Sequence, residues 1–253
     1  MVDIHMHVIP GVDDGSFSME MSRLMLMTAY LQGIKTVFAT PHSQAFATDP
    51  ESVLEKYIVL KGEIEELPLG MRLFLGCEVR CELANMSQAL KALETGKYPS
   101  MNNTKYVLTE FSSLTGGAEA LEIAKQLLVS GWIPIIAHVE RYNGLYAKTV
   151  NGHVEMSEYR IDFVEELLDM GCLLQINADS LEDESDRAAG EQARQLIRER
   201  KVSFLGSDAH RMNHRPPSVE QGLKYLYSHC EKTYAEAVTE GNAKRLLCSD
   251  LGI

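Results

Sequence analysis

Val2-Asp3-Ile4-His5-Met6-His7-Val8 reads as a β-strand near the start of the chain, with two histidines one residue apart. Alternate side chains of a strand share a face, so His5 and His7 aim two imidazoles at one point in space. Asp208-Ala209-His210 repeats this spacing near the other end of the sequence. If the chain folds back on itself, the two pairs meet and suggest a metal site.

Six further apolar, β-rich runs follow, near residues 34–40, 72–79, 105–111, 132–139, 172–178 and 202–208. Helical stretches alternate with them near 18–32, 51–66, 117–130, 157–170 and 187–200, with two more near 217–230 and 232–246. Gly33, Gly131 and Gly171 stand where helix C-terminal caps belong. Such alternation implies βαβ units and a mainly parallel sheet, and the strands are too uniformly apolar for either face to be wet. No GxGxxG follows the first strand and no GxxxxGK[ST] occurs, which argues against nucleotide binding by those routes. The expected architecture is an α/β barrel of about seven strands, with residues 1–253 as one domain, close to the ~250 residues typical of such barrels.

Composition narrows the function. The net charge of −12 argues against nonspecific nucleic-acid binding, which needs clustered Lys and Arg. A phosphorylated substrate is compatible with it, because bound divalent ions reverse the local sign of the field. No window of about 18 apolar residues is present, so neither membrane insertion nor a cleaved leader is expected. The five cysteines are scattered without a CxxC framework, as reduced cytoplasmic thiols would be.

The metal-capable residues gather at the C-terminal ends of the expected strands. His5 and His7 lie on the first, His42 follows the second, and Glu78, Glu110 and His138 end the third, fourth and fifth. Asp208 and His210 end the seventh. Active sites of barrels are built on this face. Each residue alone reads more readily as structural, and the joint placement carries the argument: six of the eight histidines fall there or in the loop beyond, counting His214. So many imidazoles and carboxylates exceed one tetrahedral zinc and suit two or three ions, with Mn²⁺, Fe²⁺ and Zn²⁺ all compatible. Arg141 and Arg215 follow candidate ligands by a few residues, and their planar guanidinium groups suit phosphate oxygens; the rival reading is a surface salt bridge. Met19, Met21, Met25 and Met27 are expected to pack only, and Glu182 to Asp186 to form a solvated loop.

The ordered series Asp3-Ile4-His5-Met6-His7, Val12-Asp13-Asp14-Gly15, Thr40-Pro41-His42, Gly76-Cys77-Glu78, Glu110-Phe111, Ala137-His138-Val139-Glu140-Arg141-Tyr142 and Ser207-Asp208-Ala209-His210 resembles the polymerase-and-histidinol-phosphatase (PHP) superfamily. More closely, it resembles the bacterial metal-dependent tyrosine phosphatases encoded with capsule and exopolysaccharide genes. The resemblance runs from Met1 to about Pro217. It implies a distorted seven-stranded (β/α)7 barrel of the PHP, TIM-like type with three divalent ions, manganese foremost. It further implies that His5, His7 and Asp208 serve the first ions, that Glu78 bridges to a second site completed by Glu110 and His138, and that His42, His210 and Asp14 hold a third, with Asp13 as the alternative to Asp14. Arg141 and Arg215 match the family's phosphate-binding arginines. The loop from Asn143 to Tyr159 is longer than the pattern, and the loop from His42 to Asp49 lacks its basic residues.

The activity so implied is hydrolysis of phosphotyrosine by a metal-bridging hydroxide, on the tail of a bacterial tyrosine autokinase that controls polysaccharide export. A flexible tail calls for an open site, and the family often forms homo-oligomers. No cysteine is followed six residues later by arginine, so the Cys-x5-Arg loop of thiol-based phosphatases is absent. Rival readings are a histidinol-phosphate phosphatase, which needs an enclosed pocket, and a non-catalytic PHP domain that keeps its metals for structure. The net charge disfavours a deoxyribonuclease.

Overall fold

The computed structural model describes residues 1–142, 145, 147–150, 153–156, 162–181 and 187–248. Its strands are β1 (Val2–Met6), β2 (Thr36–Ala39), β3 (Arg72–Leu75), β4 (Glu78–Arg80), β5 (Tyr106–Glu110), β6 (Ile133–Ile136), β7 (Ala147–Val150), β8 (His153–Met156), β9 (Leu173–Asn177) and β10 (Phe204–Gly206). They form a three-stranded sheet in the order β1-β2-β3, a five-stranded sheet in the order β10-β9-β6-β5-β4, and the pair β7-β8. Every pairing in the two larger sheets is parallel, and β7-β8 is antiparallel.

The expected α/β organisation with parallel strands is thus present, but as two sheets. The strand read over 72–79 is two strands, one in each sheet. Gly76 sits at the break: its N–H donates to Ala39 O at 2.9 Å, and an added Cβ would lie 2.7 Å from Met101 Sδ. The sheets meet at both seams. His7 N–H donates to Ala209 O and Asp208 N–H to His5 O, both at 2.9 Å, while Glu78 N–H donates to Pro41 O at 3.1 Å.

Apolar side chains alternate across the strands into two clusters. Val37, Val107, Ile136 and Leu205 face the helices. Phe38, Leu108, Ile135 and Phe204 pack on the opposite face with Ile4, Met101 and Leu246. Neither face is wet, as strands buried on both sides require. The first helices are α1 (Met19–Leu31), α2 (Ser43–Thr48), α3 (Pro50–Glu65), α4 (Met86–Glu94) and α5 (Gly117–Val129). Ser18 caps α1 by accepting from Met21 N–H, Asp49 caps α3 by accepting from Ser52 N–H, and Gly33, Gly131 and Gly171 all take the positive φ of C-terminal caps.

Three features depart from the sequence reading. Helices α2 and α4 and the β7-β8 hairpin were not anticipated, and the hairpin occupies the long loop noted after Tyr142. The helix expected over 232–246 is Lys232–Glu236, a π turn at Ala237–Gly241 and Lys244–Leu247. The helix expected near 157–170 is described as Asp162–Asp169; residues 157–161 and the acidic stretch 182–186 lie outside the described residues. Among the methionines of α1, Met25 is buried and Met19 and Met21 pack against the core. No helix among the described residues is long and apolar enough to cross a membrane.

Two helical glycines predict opposite responses to the same substitution. In the helix Glu220–His229, a Cβ on Gly222 would lie 2.4 Å from Ala178 O, whereas nothing stands within 4 Å of a Cβ on Gly62 in α3. Alanine normally favours a helix by about 1 kcal/mol over glycine. Gly62→Ala should therefore raise Tm by about 2–4 °C, while Gly222→Ala should lower it, the clash costing about 1–3 kcal/mol. Thermal unfolding of both variants checks the difference in sign.

Candidate metal centre

The seam between β1 and the segment after β10 brings the two opening motifs together. One extra residue on β1 opposite β2, a bulge between Asp3 and Met6, re-aims His5 there. The Nε2 atoms of His5 and His7 stand 3.2 Å apart, and the rings of His7 and His210 stack at 3.9 Å. Glu78 enters from β4: Oε1 lies 3.3 Å from His5 Nε2 and 2.9 Å from His138 Nε2, and Oε2 lies 3.3 Å from His7 Nε2 and 2.9 Å from His42 Nδ1. Asp14 Oδ1 stands 3.3 Å from His42 Nε2 and 3.4 Å from His210 Nε2. Asp208 Oδ1 faces His5 and His7 at 3.5 and 3.6 Å.

Donor atoms fall into three groups, each within 4.8 Å: His7, Asp14, His42 and His210; His5, His7 and Asp208; and His42, Glu78 and Glu110. His138 is joined to them through Glu78. All nine expected donors therefore converge on one place. His214 does not: it is exposed, and its backbone pairs with Arg211 in a turn. Asp13 and Asp14 divide their roles. Asp13 accepts from His7 Nδ1 at 2.8 Å and from the N–H groups of Gly15 and His42, so it orients His7 and the backbone entering α2, while Asp14 joins a donor group.

The donor set fits divalent ions. Burial opposes charge on His5, His7 and His42, yet their carboxylate neighbours more than offset it and raise all three pKa values. Burial, then the neighbouring His7, brings His210 down to about 4. Burial would raise Asp13, but its bond to His7 holds it at about 2. Burial and then the charge of Glu78 push Glu110 up. Imidazole nitrogens at 3.2 Å share one proton or aim two lone pairs at one cation, and His138 Nδ1 is buried without a hydrogen-bond partner. Ions of borderline to hard character match this mixture of nitrogen and oxygen.

A cavity of about 320 Å3 opens over these donors, with Arg80, Arg141 and Arg215 in its wall beside Phe111 and Tyr142. Arg141 and Arg215 each donate through Nη1 to Asp208 Oδ2, at 2.8 and 2.6 Å. Three residues at the cavity hold positive φ without being glycine, namely His138 at 33°, Asp208 at 50° and Arg215 at 57°. Such strain persists only where the surroundings over-determine it.

A supporting layer went unassigned in the sequence. Gln175 Oε1 accepts from His138 N–H at 2.9 Å and faces His5 Nδ1 at 3.1 Å. Gln175 Nε2 donates to Asn177 Oδ1, and Asn177 Nδ2 donates to Asp208 Oδ2. Glu140 Oε1 accepts from Asn177 N–H and Ser180 Oγ, and Asp3 Oδ1 accepts from the N–H groups of His5 and Ser207. The signal was available: Gln175 and Asn177 are polar residues two apart in an apolar strand, the same spacing as His5 and His7. Gln175→Leu leaves two ligands unsupported and should weaken Mn²⁺ binding about 10–100-fold. Calorimetric titration of the metal-stripped variant, with an unchanged circular dichroism spectrum, is the check.

Residues 1–248 match the family model described as capsular polysaccharide synthesis, CpsB/CapC. The chain is 30% identical to the tyrosine-protein phosphatase CpsB of Streptococcus pneumoniae, covering 99% of this chain and 100% of that one. It is 27% identical to the tyrosine-protein phosphatase YwqE of Bacillus subtilis, covering 98% and 91%. A chain from the crystal structures of YwqE from Bacillus subtilis and CpsB from Streptococcus pneumoniae, described as unique metal-dependent tyrosine phosphatases, superposes with a TM-score of 0.81 at 26% identity, covering 98% and 95%. An amidohydrolase from Mycoplasma synoviae shares the fold at a TM-score of 0.61 and 14% identity, covering 98% and 87%. With a match over nearly its whole length and 30% identity to a full-length relative, this chain belongs to the CpsB/CapC family of capsular polysaccharide synthesis.

Proposed function

We propose that this chain is a metal-dependent protein-tyrosine phosphatase, a phosphoric monoester hydrolase acting in capsule or exopolysaccharide synthesis. The observation that carries the reading is a cluster of nine nitrogen and oxygen donor residues, seven of which line one cavity together with Arg141 and Arg215. The relatives' activity and the metal dependence of the solved ones support it. In this reading residues 1–253 form one PHP phosphoesterase domain, and the two sheets are arcs of a distorted seven-stranded barrel joined at their seams.

The ligand assignment follows the resemblance: His5, His7 and Asp208 would hold one ion, Glu78, Glu110 and His138 a second, and Asp14, His42 and His210 a third, with Glu78 also serving the first. The donor groups agree on His5, His7 and Asp208, add His7 to the third set, and put His42 rather than His138 with Glu78 and Glu110. When bound, divalent ions such as Mn²⁺, Fe²⁺ or Zn²⁺ supply Lewis-acid charge and acidify the water that attacks phosphorus. Arg141 and Arg215 bind the phosphate oxygens where negative charge accumulates. Phe111 and Tyr142 offer an aromatic wall to an aryl ester. The two thiols beside the donors do not compete as nucleophiles: burial, then the nearby Glu78 carboxylate, pushes Cys77 well above the ordinary range, and burial, then Glu110, raises Cys81 to about 12. The substrate we assign is a phosphotyrosine in the flexible tail of a bacterial tyrosine kinase, met in the cytoplasm without nucleic acid or membrane insertion. Self-association into a homo-oligomer is part of the same proposal.

The reading is tested by stripping the protein of metal, reloading it with Mn²⁺ and comparing rates on a phosphotyrosine peptide and on histidinol phosphate. Faster, metal-dependent cleavage of the peptide is expected; preference for histidinol phosphate would move the protein to biosynthesis, and silence on both would leave a binding module. His138→Ala should lower turnover by at least about a hundredfold with the fold kept, as loss of one ion would. Arg215→Ala should raise KM or lower kcat while metal content, read by elemental analysis, stays at the wild-type level. Loss of metal in that variant would mean that Arg215 serves the ions rather than the phosphate.

A further inference from the structure

The metal cavity is continuous with a second one on its α2 side. This neighbour measures about 610 Å3, and Asp14, His42, Arg80 and Glu110 line both. Its far half lies between Gln44 and Thr48 of α2 and Gln88 and Ala89 of α4, with Asn85 and Tyr98 completing it. All the charged side chains of the lining, namely Asp13, Asp14, Arg80 and Glu110, belong to the half nearer the metal donors. The far half presents amides, small aliphatic groups, one hydroxyl and one phenol.

The walls of this groove are tied in place. Ser43 Oγ, at the start of α2, accepts from Arg80 N–H at 3.2 Å, and Asn85 Nδ2, just before α4, donates to Arg80 O at 3.1 Å. Lys97 Nζ, beside Tyr98, donates to Ala47 O of α2 at 3.3 Å. Arg80 itself reaches across the junction, with Nη1 3.5 Å from Glu110 Oε2 and Nε 3.1 Å from Glu82 Oε1. The groove is therefore preformed and begins where the metal donors end.

We infer that this groove is a peptide subsite, which takes the uncharged polypeptide next to the phosphotyrosine while the phosphate lies over the metal donors. The inference rests on the tyrosine-phosphatase reading and adds to it the means of telling a protein substrate from a small phosphate ester. Carboxamide side chains both donate and accept, as peptide groups do, and the aromatic face of Tyr98 suits an apolar side chain or a peptide plane. A volume of about 610 Å3 is that of a whole ligand site, so a small ester held at the metals would leave it unused. The uncharged lining selects neutral flanking residues over acidic or basic ones.

The test uses Mn²⁺-loaded protein and two probes, p-nitrophenyl phosphate and a peptide with phosphotyrosine flanked by glutamine and alanine. Gln88→Trp and Thr48→Trp fill the groove from opposite walls at exposed positions. Each should raise KM for the peptide about tenfold, a loss of about 1.4 kcal/mol, and leave kcat and KM for p-nitrophenyl phosphate within about twofold. Wild-type kcat/KM should also favour the peptide over N-acetyl phosphotyrosine amide by about tenfold. Equal losses on both probes, no loss on either, or no preference for the peptide in the wild type would overturn the subsite. Failure of the wild type to hydrolyse any aryl phosphate would instead overturn the phosphatase reading beneath it.

Discussion

The structure depends on one buried carboxylate. Glu78 is 1% exposed, and its two oxygens touch imidazoles carried by β1, by the start of α2 and by the end of β6. Removing a carboxylate from water costs several kcal/mol, and the position is stable only where the surroundings return that energy. Burial opposes the charge of Glu78, but His5 and the bonds from His138, His42 and His5 hold its pKa well below the ordinary range. The same residue closes the seam between the sheets through its backbone N–H to Pro41 O. Chain closure and donor convergence are one event at this position.

That requirement propagates outward. Imidazoles facing Glu78 must keep their rings turned toward it, and two are held from behind, His7 by Asp13 and His5 by Gln175, while the backbone of His138 is held again by Gln175. The second layer is itself linked, since Asn177 bonds Gln175, Asp208 and Glu140. The network is not closed, however: Asp3 Oδ2, Glu78 Oε2, His138 Nδ1 and Glu140 Oε2 are buried without a hydrogen-bond partner, which leaves acceptor capacity where the donors converge. The left-handed backbone of His138 and Asp208 is further strain held in place by this network.

The seven apolar runs and their C-terminal polar residues were legible because burial on both faces and ligand convergence both leave local marks. The break of the third run at Gly76 was not, because periodicity reports that a segment is extended and not which neighbour it pairs with. Gly76, where an added Cβ would crowd Met101 and Thr40, stands where the pairing passes from β2 to β5. Helix α2 is six residues long, too short to express a period, whereas Met86–Glu94 carries a clear amphipathic pattern that the strand-centred reading passed over. The hairpin also had a signal: Asn151-Gly152 stands in the sequence between the runs that become β7 and β8. The nine residues read as donors from strand ends and resemblance lie together in the structure. The choice between Asp13 and Asp14 was not open to sequence, because adjacent carboxylates differ only in what surrounds them.

Asp208 shows how two functions can share one side chain. Its Oδ1 faces the imidazoles of His5 and His7, and its Oδ2 accepts from Arg141, Arg215 and Asn177. One oxygen thus belongs to the proposed cation site and the other to the proposed anion pocket. A cation held at Oδ1 would draw electron density from the carboxylate, weaken Oδ2 as an acceptor and so loosen its hold on both guanidinium groups. By linkage the coupling would be reciprocal: an anion bound by the arginines would relieve Asp208 Oδ2 and strengthen the carboxylate toward a cation. Arginine placement and metal affinity are in this way two readings of the same charge.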